Sequence, residues 1–500
     1  MSRNFFPAIL LLAAAMSAAA CGEAPAPTDP TNFVILVADD MGWEDASPYG
    51  HPFIRTPNLQ RLADHGMRFD YAFVTTSSCS PSRASILTGK YPHQTGAEQL
   101  HWPLPEDQTT FVDLLREAGY WTASAGKWHL GDAAVARFDL VIQGGGERTT
   151  EEASENELMP GGGYASGAGA WVDALKQRPE GRPFLAWLSS FDPHRPYQEG
   201  ILDTPHALED VVVPAYLPDT PEVRKDLALY YDEIARLDHY VGSVLDELDR
   251  QQVAENTFVL FISDNGAPFP RAKTTVYDSG VRTPWIVRFP TGVKAGSTTA
   301  SLVSTVDLAP TLLDLAGIES PFSFEGESIV PILNDPSAVV RDHIFAERNW
   351  HDFDDRVRAV RDSRYKYIRN FYTDIPNGPP ADAIRGDTFQ KMRALRDEGS
   401  LTPHQHIVFD TPRPEEELYL VADDPQELYD VSQDSAHAEA LERLRGVLGA
   451  WQEATGDTSP AARTPDEYDR ETGDALPNRT FQRMPPGKEN TLENPENALE

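Results

Sequence analysis

The sequence predicts an α/β fold: a large, mostly parallel sheet sandwiched by helices, followed by a smaller C-terminal α+β domain containing an antiparallel sheet. Three observations carry this. Apolar strand-length runs alternate with segments of helical period, the pattern of a parallel sheet covered on both faces. Polar, chemistry-bearing residues recur just past the ends of those runs, where ligands gather in such sheets. From about residue 341 the texture changes to a hairpin, a strand and a closing helix.

The elements follow in order. "NFVILVADD" reads as a strand ending in two acids, and "TPNLQRLADHG" as a helix with Leu59 and Leu62 on one side and Gly66 as its stop. "TTFVDLLREAGY" followed by "WTASAGKWHL" is a helix running into a strand, and "RPFLAWLSSFDPHRPY" is a strand with polar chemistry at its end. "VRKDLALYYDEIARLDHYVGSVLDELDRQ" is a long amphipathic helix, "NTFVLFISDNG" a strand ending in Asp and Asn, and "VDLAPTLLDLAG" a helix. In the C-terminal part, "RVRAVRDSRYKYIRNF" is a hairpin turning near Asp362-Ser363. "EEELYLVADDPQELYDV" is a strand and turn, and "HAEALERLRGVLGAWQEAT" is the closing helix. Residues 376–410, rich in Gly, Pro and charge, read as a long excursion. The expected organisation is 1–21 signal, 22–30 linker, 31–340 main α/β domain, 341–455 C-terminal α+β subdomain and 456–500 an acidic, Pro-rich tail, irregular and surface-hugging or disordered.

The chain has 500 residues, 40% of them hydrophobic, and a formal charge of -35 from 43 basic and 78 acidic side chains. That balance argues against nucleic acid or anionic membrane as a partner. An anionic substrate would need a local cluster of Arg, Lys and His inside the acidic shell. The opening "MSRNFFPAILLLAAAMSAAAC" is a basic start, an apolar run and small residues, the pattern of a secretory signal. It resembles a bacterial lipoprotein signal with Cys21 as the lipidated residue, which implies a periplasmic or cell-surface protein. Ala18 stands where a large apolar residue is usual, so cleavage without lipidation stays open. If Cys21 is lipidated or removed, Cys79 is the only thiol left and has no disulfide partner in the chain.

Four oxygen donors sit at two strand ends: Asp39, Asp40, Asp264 and Asn265. Three carboxylates and an amide suit a hard cation, Ca²⁺ or Mg²⁺, rather than Zn²⁺. An Asp-Asp pair after a strand often does no more than cap a helix or make a turn. Recurrence at two equivalent strand ends favours the metal. Arg83 follows Cys79 by four residues, so a helix begun by Ser80-Pro81-Ser82 puts both on one face. Cys79 then lies at a helix N-terminus, where backbone N–H groups favour an anion. Lys127 and His129, two apart, point the same way if the strand continues through them. His194 and Lys273 add to the cationic set. Such groups around a divalent cation suit transfer of a tetrahedral oxyanion.

"CSPSRASILTG" resembles the sulfatase signature, with Pro81 and Arg83 in the expected places. "ILVADDMGW", "TPNLQRLADHGMRFDYAF", "GKWHLG" and "ISDNG" extend the resemblance over roughly 31–450. The resemblance implies that a maturation enzyme converts Cys79 to Cα-formylglycine. Its hydrate would complete a Ca²⁺ shell with Asp39, Asp40, Asp264 and Asn265 and attack sulfur, giving a covalent sulfo-enzyme intermediate. Arg83, Lys127, His129, His194 and Lys273 would hold sulfate and move protons, with His194 as acid and His129 as base, or the reverse. "SDNGAPFPRAKTTVYDSG", "FDPHRPY" and "VRAVRDSRYKYIRN" are most similar to the heparan N-sulfatase branch, which includes bacterial sulfatases of other polysaccharides such as ulvan. The substrate so implied is a sulfated mono- or oligosaccharide, N-sulfoglucosamine first. Lys273 stands where the heparan N-sulfatase itself has an arginine, and the two differ where a bidentate grip matters. His351, Asp352 and Arg356, in "ERNWHDFDDRVRAVR", are candidate substrate contacts from the C-terminal side, against the plainer reading of a solvated loop. Other readings remain: a metal phosphatase or phosphodiesterase, a Cys79 thiolate hydrolase, or a non-catalytic glycan-binding surface protein. The oligomeric state is not legible.

Overall fold

A computed structural model of the chain describes Met1 and residues 30–144, 146–148 and 163–477, with only backbone for 146–148 and 163–165. The expected signal, Cys21 and most of the linker lie outside these residues, as do the tail beyond 477 and most of the acidic stretch at 144–157.

Fourteen strands are described. In chain order they are β1 Asn32–Ala38, β2 Met67–Phe73, β3 Trp121–Gly126, β4 Leu140–Gln143, β5 Gly146–Arg148, β6 Gly163–Ala165 and β7 Phe184–Ser189. There follow β8 Thr257–Ser263, β9 Trp285–Arg288, β10 Ser297–Ser304, β11 Ile344–Arg348, β12 Val357–Arg361, β13 Lys366–Asn370 and β14 Glu416–Tyr419. Eight form one sheet in the order β10-β2-β9-β8-β1-β7-β3-β4. Every pairing in it is parallel except the two made by β9, which runs against β2 and β8. A second sheet, β11-β12-β13-β14, is antiparallel, and β5 and β6 make a separate ribbon.

The large sheet is buried on both faces, and its central strands β1, β7 and β8 are buried at every position and apolar except at their ends. Successive side chains point to opposite faces of a strand. In β1, accordingly, Val34, Leu36 and Ala38 enter one core with helices Pro57–Asp64, Trp171–Lys176 and Pro221–Arg250. Phe33, Ile35 and Val37 enter the other with Cys79–Thr88, Phe111–Glu117 and Leu308–Ala316. The small sheet is likewise covered twice. Val357, Ala359 and Ile368 pack on Phe73, Val74 and Tyr277, while Val360, Tyr367 and Leu418 pack on Leu444, Leu448 and Trp451 of the closing helix Ala438–Thr455. Its hairpin turns where expected, with Asp362 Oδ1 accepting from the N–H groups of Arg364 and Tyr365 at 2.7 Å each.

The long helix Pro221–Arg250 spans 30 residues, capped by Thr220 and started by Pro221. It is amphipathic as expected, but its buried face also carries charge that anchors loops. Asp238 accepts from the backbone N–H groups of Asn58 and Leu59. Asp226 takes both arms of Arg195 at 2.8 and 2.7 Å, and Arg236 grips Asp192. One segment is more regular than the long excursion expected. Residues 376–410 hold helices Ala381–Arg385, Asp387–Asp397 and Pro403–His406, with Phe389 and Met392 in the core beside the long helix. The start of the tail is irregular but strapped down: Asp457 accepts from Arg358 Nε and Nη2 at 2.8 Å each and from Arg356 Nη2 at 2.9 Å. Trp350 Nε1 donates to the Pro465 carbonyl.

Candidate active site

Strand order brings the chemistry together. β8, β1, β7 and β3 are adjacent and parallel, so their carboxyl ends open on one edge of the sheet. Asp39-Asp40 follow β1, Asp264-Asn265 follow β8, Lys127 and His129 follow β3, and His194 follows β7. Close backbone approach lets these ends meet. Gly126 has φ +94, and a Cβ there would lie 1.8 Å from the Ser189 carbonyl oxygen. A Cβ at Gly266 would lie 1.9 Å from that of Ser279. Asp40, His101, His129, Thr274 and Asp352 all carry positive φ. Left-handed backbone is uncommon for such residues, and its concentration marks a surround that overrides local preference.

Cys79 is the first residue of its helix and is 1% exposed. Its Sγ and carboxylate oxygens of Asp39, Asp40 and Asp264 all lie within 4.8 Å of one another. Three cations oppose the three carboxylates. Lys127 Nζ donates to Asp39 Oδ2, Lys273 Nζ to Asp40 Oδ2 and Arg83 Nε to Asp264 Oδ2, each at 2.7 Å. Burial and the charges of Asp39 and Asp40 push Asp264 up to about 7, against the pull of Arg83. Burial works against ionisation of Asp39 too, but Lys127, His194 and Arg83 hold it well below the usual carboxylate range. Asp39 Oδ1 and Asn265 Oδ1 are buried without a hydrogen-bond partner. Lone pairs so placed fit a hard cation held by Asp39, Asp40, Asp264 and Asn265.

Above this floor lies an open cleft whose lining includes Cys79, His129, His194 and Lys273. Arg83 and Lys127 do not line it and lie buried among the carboxylates. β3 stops at Gly126, so strand alternation is not what aligns Lys127 with His129. Lys127 instead turns to Asp39, while His129, at φ +57, lines the cleft. His129 Nε2 shares a hydrogen bond of 2.7 Å with His101 Nδ1, and His129 Nδ1 is buried without a partner. Burial and the Lys127 charge lower its pKa well below the ordinary histidine value, so the ring is neutral. His194 Nε2 is 3.8 Å from Asp40 Oδ2 and 3.9 Å from Asp382 Oδ2. Its loop is held at both sides by the Asp192–Arg236 and Arg195–Asp226 pairs. Burial, with carboxylates near, raises the Cys79 thiol well above its ordinary value. That environment opposes thiolate chemistry at residue 79.

Of the C-terminal candidates, His351 and Asp352 line the cleft, with His351 Nδ1 at 2.7 Å from Ser78 Oγ. Arg356 does not. Its guanidinium turns to Asp457 and packs over Phe371, and it faces a separate cavity, because the tail supplies the buried carboxylate it pairs with. Sequence reasoning missed His101, Asp382 and Tyr468, all in the lining. None belongs to a motif. Asp382 sits in the segment read as an excursion, and Tyr468 in the tail.

Parallel strand ends bearing a clustered oxygen-donor set, ringed by cations beside a cleft, define a hydrolase of oxyanion esters or amides. The chain belongs to the sulfatase family: the family's sequence profile, "Sulfatase", matches residues 31–318. That for "N-sulphoglucosamine sulphohydrolase, C-terminal" matches 271–379. The chain is 32% identical over 471 residues to the N-sulphoglucosamine sulphohydrolase of Homo sapiens, covering 86% of this chain and 91% of that one. It is 31% identical over 452 residues to an ulvan-active sulfatase of Formosa agariphila, covering 85% and 75%. A solved complex of a protein with its substrate D-glucosamine-2-N,6-O-disulfate has the same fold, TM-score 0.64 at 22% identity over 86% of this chain and 99% of that one. So does the phosphonate monoester hydrolase of Agrobacterium radiobacter, TM-score 0.63 at 19% over 85% and 96%. Fold alone therefore does not separate sulfur from phosphorus chemistry. The protein is a sulfatase by family.

Proposed function

We propose that the protein is an exported, calcium-dependent sulfatase that removes sulfate from a sulfated saccharide, using Cα-formylglycine made from Cys79 by a maturation enzyme. The observation that carries this reading is the convergence of Cys79 Sγ with three carboxylates inside a ring of Arg83, Lys127 and Lys273. Three cations balance three carboxylates, so a bound divalent cation leaves the site net positive and suited to a sulfate group. The cation would be held by Asp39, Asp40, Asp264 and Asn265, and supplies Lewis acidity at the sulfate oxygens. The aldehyde hydrate would supply two hydroxyls on one carbon, one to attack sulfur and one to help expel the sulfate afterwards.

The chain's own residues do the rest. Lys273, in the cleft, grips sulfate oxygens, while Arg83 and Lys127 hold the carboxylates in place. His129, neutral and with Nδ1 unpartnered, takes a proton beside residue 79. His194, partly exposed in the cleft, donates to the leaving oxygen or nitrogen. An N-sulfoglucosamine-type substrate is favoured by the C-terminal profile match and the human relative. An O-sulfated polysaccharide of the ulvan kind is the second reading, supported by the Formosa relative. Export, with Cys21 as a lipid attachment site, rests on the apolar run before it.

The test is a peptide mass across residue 79 in protein made with a maturation enzyme, joined to turnover of sulfated saccharides. Conversion lowers the mass by about 18 Da as SH and H give way to a carbonyl oxygen. An unmodified cysteine in protein from its own host that still releases sulfate would sink the aldehyde reading.

A further inference from the structure

The part of the cleft lining contributed by the C-terminal half has no role in the chemistry above. His351, Asp352, Ala381, Asp382, Arg385 and Tyr468 supply it. Asp382 is the second residue of helix Ala381–Arg385. Its Oδ1 accepts from the Ala383 N–H at 2.8 Å, while its Oδ2 is buried without a hydrogen-bond partner. That oxygen is 3.9 Å from His194 Nε2, so it stands beside the place where the scissile bond must lie. Asp352 fixes it there. At φ +59, Asp352 accepts the Ala381 N–H on Oδ2 at 2.9 Å, which ties down the first turn of the helix. The Glu467 N–H donates to the Asp352 carbonyl at 2.9 Å and brings Tyr468 to the cleft.

We propose, on the basis of the saccharide-sulfatase reading, that Asp382 is the specificity-determining residue for the sugar ring. It accepts hydrogen bonds from hydroxyl or amino groups next to the sulfated position of a neutral or amino sugar, and excludes a uronate. Asp352 is its positioning residue. An ionised carboxylate accepts only, so its partner must be a donor. Hydroxyl and amino groups qualify; a uronate carboxylate does not. Burial alone would neutralise Asp382, but Lys273, His194, Arg195 and His351 hold it well below the usual carboxylate range. A sugar acid brought to this wall would face a like charge, which makes the exclusion as strong a discriminator as the bond. Arg385 is the cation that a uronate would instead meet, but it is exposed, and its Nη1 donates to the Gly473 carbonyl at 2.7 Å.

The experiment uses the full-length, matured enzyme and measures kcat and KM on glucosamine N-sulfate, N-acetylglucosamine 6-sulfate and a hexuronate 2-sulfate. 4-Nitrophenyl sulfate serves as a probe of sulfur chemistry alone. Wild type is expected to prefer the best amino sugar over the uronate by on the order of 100-fold or more. Asp382→Asn should shrink that preference roughly 10- to 100-fold, mainly through KM on the amino sugar, because it turns an acceptor into a mixed donor and removes the charge. Asp382→Glu should restore part of it. A preference unchanged in Asp382→Asn, whatever the overall rate, would overturn the assignment and place Asp382 in support of His194 instead. Wild-type turnover of the uronate equal to that of the amino sugars would also overturn it. Turnover of nitrophenyl sulfate with none of the sugars would refute the saccharide reading itself, and the proposal with it.

Discussion

Lys273→Met tests whether the carboxylates beneath the cleft share their charge with a metal. Lys273 and Asp40 are 1% and 0% exposed, and Nζ donates to Oδ2 at 2.7 Å. Methionine keeps the length of the side chain and removes the charge, leaving Asp40 buried beside Asp39 and Asp264. Breaking a buried pair in this way costs about 3–5 kcal/mol. Unfolding entropy of about 2.1 cal/mol/K per residue, over a body of roughly 440 residues, is near 0.9 kcal/mol/K. The melting temperature of the chelator-treated variant should therefore fall by about 3–6 °C relative to wild type under the same conditions. A divalent cation bound by Asp40 supplies the missing positive charge, so millimolar calcium should recover more stability in the variant than in wild type. Differential scanning fluorimetry of both proteins, with chelator and with calcium, reads this directly. An equal loss with and without calcium would refute the argument, because Asp40 would then be compensated by lysine alone and not by a metal.

Other outcomes follow from the same geometry. Asp457→Ala removes the shared partner of Arg356 and Arg358, the latter 0% exposed, and should cost about 3–5 kcal/mol in urea unfolding; a change below 1 kcal/mol would show that the tail is not a structural strap. In protein made without the maturation enzyme, Cys79 should resist thiol reagents at pH 8 and react only when urea opens the fold, since burial both shields the thiol and raises its pKa; rapid native labelling would contradict this. His194→Ala should slow sugar sulfates by about 10²–10⁴-fold but affect 4-nitrophenyl sulfate far less, because nitrophenolate leaves without a proton. His129→Ala should slow both. As a base His129 must be neutral, so activity should be lost as pH falls through a value below the ordinary histidine pKa of 6.5, to which burial and Lys127 have lowered it; an acid limb above 6.5 would assign that step elsewhere.

What could be read without coordinates was whatever depends on local pattern. The apolar run at 32–38, the 3.6-residue period of 221–250 and the turn at Asp362 each state their own conformation, because side-chain spacing, capping and turn chemistry act over a few residues. The metal and sulfate candidates were legible for a related reason: strand ends of a parallel sheet converge, so Asp39, Asp264, Lys127 and His194 could be grouped from their positions alone. The antiparallel β9 inside the large sheet was not, nor were the helices of 376–410, whose Phe389 and Met392 pack against the long helix from across the chain. Arg356 was misplaced because the carboxylate that takes it, Asp457, stands 101 residues away in a tail with no motif.

The sequence by itself determined the fold class and the family, since these rest on periodicity and on a contiguous signature around Cys79. Only the tertiary structure decided which side chains from the C-terminal half line the cleft. Asp382, His101 and Tyr468 reach the cleft through long-range contacts, the Asp352–Ala381 and Asp352–Glu467 hydrogen bonds and the His101–His129 pair, that join segments far apart in the chain. Hydrogen bonding and burial at such distances depend on three-dimensional packing, which no local spacing of residues encodes.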